Sequence, residues 1–401
     1  MITYVFWVNG YNKDISGFSA NGPMAVLAGC VGLLFMAVII HFTINNIPIP
    51  TLAQLRVEAE KINSKRLLVV YIVATVFLTS IRFFFGDAGG ADQVLVTISS
   101  LKWVFFMMYG FMVWLTKKNR VVFVVIILYE FASSLTSYFS NFKEVLLFAI
   151  IISLTFVNNI RPKQLIYGLL AGALLISLLL TWAAIKNDYR QFVNKGRREQ
   201  VVAVERSEAI SKMQSQVADL SWKHYKMAID LSLYRVQYLH NLSLSMDRVP
   251  YLIPYQNGAV WGKNISFVIS PRIIFPDKGI YNASEKARMY SGLKYTGLKE
   301  GSSFSLGYFA DSYVDFGYVG MYLPLGLLAL FVGLIYRTFY SMKALNLLFR
   351  FGIINITLYN FISFEADGLF LFGRLLTNYI VYTVLCLTFF PRLQRWIYKK
   401  A

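Results

Sequence analysis

The sequence predicts an all-α integral membrane protein with about nine transmembrane helices and one large, partly helical external loop between the sixth and the seventh. Three observations carry this. Hydrophobic residues make up 57% of the 401 positions and charged residues only 15%, a balance too apolar for a soluble domain of this length. The apolar residues gather in runs of roughly 17 to 25, the length that spans a hydrocarbon core. Between the sixth and seventh runs the hydropathy collapses, from Lys186 to about Phe316.

In order, the runs lie near 24–43, 67–85, 93–116, 121–138, 145–160, 164–185, 317–338, 345–363 and 375–391. They divide the chain into an N-terminal bundle of six helices (1–185), the external loop (186–316) and three C-terminal helices (317–401). The first 23 residues lack the basic start and continuous apolar centre of a cleavable signal, so the first span is expected to insert uncleaved. Lys and Arg near helix ends stay cytoplasmic. One side carries sixteen basic residues in its short segments, among them Arg56, Lys65, Arg66, "KKNR" from 117, Arg350, Arg392 and Arg395; the other carries Lys13, Lys143 and Arg374. The expected orientation is N-terminus outside and C-terminus inside.

The formal charge of +18 does not point to nucleic acid. Most of the surplus flanks helix ends, where it sets topology and meets anionic lipid, and no recognition motif accompanies it. Cys30 and Cys386 both fall in expected spans, which argues against a disulfide framework. His224 and His240 are sixteen apart and His41 is in the first span, which is not metal-ligand spacing. No GxSxG, HExxH or P-loop pattern occurs, so hydrolase, metalloprotease and ATPase readings fail.

The external loop has three parts. From about Arg198 to His240, Ile210, Met213, Val217 and Leu220 recur at helical spacing and Met227, Leu231, Tyr234 and Tyr238 continue it, predicting one or two amphipathic helices. These either lie on the membrane surface or cap the bundle. From Asn241 to Ile280 the prolines of "VPYLIP" and "SPRIIFPDKG" predict irregular backbone. The third part mixes Tyr, Gly, Ser and charge before the seventh span.

Irregular polar backbone at a membrane face persists where it lines a cavity or packs on protein, and ionisable residues close to hydrocarbon imply a function or a partner. Arg82, Lys143, Arg374, Arg272, Lys278 and Arg288 all map to the external face. Such a set suits a phosphate or diphosphate, since Arg binds phosphate oxygens in a fork and Lys as a point charge; alternatively the cations pair with nearby Asp and Glu and staple loops to the bundle. Tyr290, Tyr295, Tyr308, Tyr313 and Tyr318 stand among small polar residues, suited to stacking on sugar rings. The alternative for them is an interfacial aromatic belt.

The large late loop, "PRIIFPDK" within it, and "GYFADSYVDFGYVGMYLPLG" leading into the next span together resemble the Wzy-type oligosaccharide repeat-unit polymerases of bacterial surface polysaccharide synthesis. "IRFFFGD", around Arg82, and "NFKEVLL", around Lys143, echo two further features of those families. The resemblance implies a metal-independent, cofactor-free glycosyltransferase of the bacterial inner membrane with a fold related to the GT-C class and a periplasmic site. It implies undecaprenyl-diphosphate-linked oligosaccharide as donor and acceptor, membrane lipid around it, and a chain-length regulator and a flippase as partners.

The chemistry is displacement at an anomeric carbon with a lipid diphosphate leaving. It requires cations for the departing charge and a carboxylate for the acceptor proton. Arg272, Lys278, Arg288, Arg82, Lys143 and Arg374 are the expected diphosphate ligands, with Tyr290 and Tyr313 on the glycan. The base is open among Asp311, Asp315, Glu365 and Asp277, the last of which equally suits a turn cap in "PDKG". An O-antigen ligase acting on lipid A core shares this layout, and a polysaccharide transporter is a further alternative.

Overall fold

A computed structural model describes residues 19–85, 92–135, 142–156, 162–196, 202–236, 239–271, 274–275, 277–294 and 303–398. Among these residues every regular element is a helix, joined by turns and irregular segments, with one isolated β-bridge between Ile62 and Tyr398. Among the described residues five helical segments are long and apolar enough to cross a membrane: Gly22–Ile44, Gln93–Thr116, Gly168–Val193, Tyr322–Ser341 and Gly368–Thr388. Helices also occupy the other four expected runs, over Ser64–Phe85, Arg120–Leu135, Phe142–Thr155 and Leu347–Leu358.

The chain forms two compact units that do not follow the expected division into successive bundles. The larger contains α1 (Gly22–Ile44), α2 (Leu52–Lys61), α3 (Ser64–Phe85), α4 (Asp92–Ser99) and α5 (Leu101–Thr116). It continues, after a long gap in sequence, with α11 (Leu239–Arg248), α12 (Ala259–Ile269), α13 (Ala283–Ser291), α14 (Tyr308–Gly320), α15 (Tyr322–Ser341), α16 (Leu347–Leu358), α17 (Gly368–Thr388) and α18 (Phe390–Ile397). The smaller unit contains α6 (Arg120–Leu135), α7 (Phe142–Thr155), α8 (Pro162–Val193), α9 (Arg206–Ala218) and α10 (Trp222–Val236). The expected loop is thus shared out: its amphipathic part joins the smaller unit and its later part the larger.

In the larger unit, α5 is apolar on all sides and nearly every side chain from Trp103 to Val113 is buried, as expected of a helix enclosed by others. It packs on α2, α3 and α16. α1 buries the small residues Gly22, Ala25, Ala28, Gly29 and Gly32 and turns Leu34 and Phe42 outward. Its partner α15 answers with Gly326 and Gly333, which meet Phe35 and Thr43. Small residues let helix backbones approach where lipid supplies no hydrophobic drive between helices. Thr97 donates to Asn378 Oδ1 (2.8 Å), a polar tie between α4 and α17.

At one end of this unit Glu58 accepts the N–H groups of Leu347 (3.0 Å) and Leu348 (2.7 Å), capping α16, and the Tyr398 hydroxyl donates to it. Arg66 bonds the Trp396 carbonyl there. At the other end Asp247 accepts from Ser19 and Asn21 at the start of α1.

In the smaller unit α6 pairs with α7, and α9 and α10 lie along α8. The predicted apolar stripe packs only in part: Met213 lies against the core of this unit, whereas Ile210, Val217 and Met227 are exposed and Ala209 and Ala228 are buried beside the stripe. Alanine lets a helix approach closely, and Ala209 sits in a core with Tyr189 and Val193 of α8.

Candidate functional site

Four elements of the larger unit converge at the N-terminus of α17. Asp367 is its N-cap, accepting the Leu369 N–H at 3.1 Å through Oδ1. Asp311, in the first turn of α14, accepts the next free donor, the Gly368 N–H, at 2.9 Å through Oδ2. Both carboxylates therefore face the positive end of one helix dipole. A Cβ on Gly368 would lie 3.0 Å from that Asp311 oxygen and 3.1 Å from the Trp261 ring, so any larger residue would require these neighbours to give way.

Lys286, carried by α13, inserts its ammonium between them, 2.6 Å from Asp311 Oδ1 and 2.7 Å from Asp367 Oδ2. The Tyr281 hydroxyl donates to Asp367 Oδ2 at 2.8 Å, and Asn264 of α12 donates to Asp311 Oδ2 at 3.3 Å. Asp311 and Asp367 are fully buried; the Lys286 side chain is 12% exposed, but its Nζ is itself buried, so the exposure belongs to the stem and not to the charge. The place a cation would take between two carboxylates is filled by this ammonium.

Burial and then the Asp367 charge raise Asp311, opposed by Lys286 and the Gly368 N–H; its carboxyl is pushed up to about 7. Burial alone would lower Lys286, but the two aspartates outweigh it and hold the amine above its ordinary value. Burial raises Tyr281. Two aspartates and one lysine leave the cluster one negative charge when Asp311 is ionised and none when it is protonated.

A second carboxylate of α14 has a different task. Asp315 accepts the N–H groups of Val260 (2.9 Å) and Trp261 (2.8 Å) and so caps α12. Between the two aspartates, Ser312 accepts from the Trp261 indole at 3.1 Å. α14 is kinked at Gly317, which adopts φ 70°, a left-handed value, with Tyr255 packed where a side chain would stand.

Of the four expected bases, Asp311 alone lies in the cluster. Asp315 is a helix cap, and Glu365 and Asp277 are exposed. Lys278 bonds the carbonyls of Phe267 and Ser270 (2.8 Å) with its ammonium over the Phe267 ring, completing the C-terminus of α12. Arg288 is exposed on α13, and Arg374, exposed on α17, reaches Asn360 Oδ1 at 3.4 Å. Lys143 is exposed at the start of α7 in the smaller unit. Arg272 and Tyr295 lie outside the described residues, as does the side chain of Arg82.

Tyr290 and Tyr313 are buried rather than presented to a sugar, and the Tyr313 hydroxyl donates to the Val249 carbonyl at 2.9 Å. The members not singled out for a role were Lys286, Tyr281 and Asp367. Asp367 carries a legible signal, an Asp immediately before an apolar run; Lys286 carries none.

The chain belongs to the family described as a domain of unknown function, DUF8712. The family match runs over residues 17–393 and so takes in every member of the cluster. No curated protein and no solved structure matches the chain.

Proposed function

We propose that this DUF8712 protein is a membrane glycosyltransferase that polymerises lipid-linked oligosaccharide repeat units, with Asp311 as its base. The observation that carries the reading is the Lys286 ammonium held between Asp311 and Asp367 at the N-terminus of an apolar helix long enough to span a membrane. A carboxyl near 7 is matched to proton abstraction at neutral pH. All nine apolar runs are read as spans, with the N-terminus outside and the C-terminus inside. Arg66 gathers at the end of the larger unit that holds Glu58 and Trp396, while the cluster and Asp247 belong to helix ends expected outside, which fits that topology.

In the proposed reaction an acceptor hydroxyl oxygen bonds the anomeric carbon as the bond from that carbon to the undecaprenyl diphosphate breaks. The hydroxyl proton passes to Asp311, and the electron pair leaves on the diphosphate. Because Lys286 covers Asp311, the ammonium must move onto the arriving diphosphate, exchanging carboxylate for phosphate oxygens. Asp367 and Tyr281 then hold the emptied cradle. The inner membrane, a chain-length regulator and a flippase belong to the same reading.

The test is glycan length in a strain lacking the gene and complemented with Asp311→Asn at matched protein level. The polymerase reading expects single repeats left on the lipid. Long chains accumulating on undecaprenyl diphosphate would instead make the protein a ligase, and normal chain length with Asp311→Asn would remove the assignment of the base.

A further inference from the structure

In the charge-rich "SPRIIFPDKGI" segment, residues 270 to 280, the described apolar residues are turned outward and the lysine is not. Ile269, Ile274 and Ile280 are 61%, 69% and 79% exposed, and Phe275 is exposed beside them. Lys278, the residue that should face water, folds back over Phe267 onto the end of α12. Asp277 is exposed in the same segment, but exposing this much aliphatic surface to water is unfavourable, and large apolar side chains gathered in one short stretch mark a contact with something apolar.

The depth of the segment identifies that contact. α12 runs beside α17: Trp261 packs at Gly368, and Val268 Cγ2 lies 3.3 Å from where a Cβ on Gly373 would stand. Five residues of α17 correspond to a rise of about 7.5 Å. At the same Gly373 position Gln93, the first residue of the span Gln93–Thr116, approaches to 3.2 Å. Arg374, next along α17, is exposed, as a cation does where its stem crosses lipid and its head reaches water.

The end of α12 therefore lies level with the entry of two spans, where headgroups give way to acyl chains. We infer that Ile269, Ile274, Phe275 and Ile280 insert into the headgroup–acyl boundary of the bilayer, making this segment a membrane-dipping loop beside the Lys286–Asp311–Asp367 cluster. The loop leads directly into Tyr281, whose hydroxyl binds Asp367 and whose ring stands edge-on to Phe370 of α17 (5.8 Å). Insertion would thereby fix one wall of the cluster at the level of lipid headgroups. This inference rests on the chain's lying in a membrane and not on the transferase reading.

The experiment is site-directed spin labelling of the full chain in vesicles of phosphatidylethanolamine and phosphatidylglycerol, comparing collisions with oxygen and with a water-soluble nickel chelate. Phe275→Cys and, separately, Ile280→Cys are labelled in a Cys30→Ser, Cys386→Ser background. Native Cys30, exposed on α1, supplies the lipid reference in a Cys386→Ser chain, and Glu60→Cys on polar α2 supplies the aqueous one. The expected result is an oxygen-to-nickel ratio several-fold above that of Glu60→Cys and close to that of Cys30. A ratio like that of Glu60→Cys overturns the inference, as does shielding from both reagents, which would mean that protein covers the patch. Neither outcome depends on glycan synthesis, so this result and that of the Asp311→Asn test are separable.

Discussion

Lys286 Nζ lies 2.6 Å from Asp311 Oδ1, and the two residues come from α13 and α14, which are joined through a segment that includes positions 295–302. Asp367 closes the arrangement from a third element at 2.7 Å. A buried ion cluster adds little net stability while intact, but removing one partner leaves uncompensated charge away from water.

Replacing Lys286 with Met should therefore be strongly destabilising, by about 3–5 kcal/mol. Adding Asp311→Asn to it removes one of the stranded charges, and the double variant should recover much of the loss. Thermal unfolding in detergent of both single variants and the double variant measures the coupling. Additive losses would mean that the pair does not interact as the geometry implies.

Stability should fall as pH rises through the range in which Asp311 differs from its unfolded counterpart. An unfolded Asp titrates near 4, whereas the folded carboxyl is raised to about 7. Between those values the folded chain binds more protons than the unfolded one, so the contribution present at low pH is lost toward pH 7. Asp311→Asn should flatten that part of the unfolding profile. Under the proposed function the rate shows the opposite sense, rising through about pH 7 as the base ionises.

Gly368→Ala places a methyl group 3.0 Å from both Asp311 Oδ2 and Asn264 Nδ2. The carboxylate and the Asn264 amide must give by a few tenths of an ångström, so under the proposed function glycan chains should shorten at near-normal protein level. Normal length with this variant would show that the precise seat of Asp311 is unimportant to activity.

Asp315→Ala serves as the contrast. Its loss uncaps α12, which should cost about 0.5–2 kcal/mol, yet the pH dependence attributed to Asp311 should persist. Burial raises the Asp315 carboxyl as well, so its removal should also flatten part of the unfolding profile, but Asp311→Asn should flatten the profile further when added to Asp315→Ala.

Tyr281→Phe deletes the hydroxyl that donates to Asp367 at 2.8 Å. A hydrogen bond to a charged acceptor contributes about 1.5–3 kcal/mol, and the buried Asp367 oxygen keeps Lys286 as partner, so the lower end of that range is expected by thermal unfolding.

Asp311 and Asp367 show how far local pattern reaches. The helical class, the places of the apolar helices and a charge-poor interior follow from periodicity and composition, because hydrophobic runs of fixed length are a one-dimensional property. Asp311 could be named as one carboxylate among four, and the Asp before "GLFLF" had the form of an N-cap. What chain order could not convey was the partnership with Lys286, which reads locally as a surface residue between Glu285 and Ala287.

Tertiary packing reassigned the other charges by the same logic. Asp315 and Lys278 are spent on the two ends of α12, since unsatisfied backbone groups there would otherwise be exposed to an apolar surround. Lys278 reads as an outward-facing cation because charge is visible in sequence and side-chain direction is not. The sequence by itself determined a helical membrane protein with most of its charge kept to helix ends and to the long segment between the sixth and seventh apolar runs. Only the tertiary structure decided which charges meet, because pairing across α13, α14 and α17 depends on close helix approach at Gly368 rather than on any spacing along the chain.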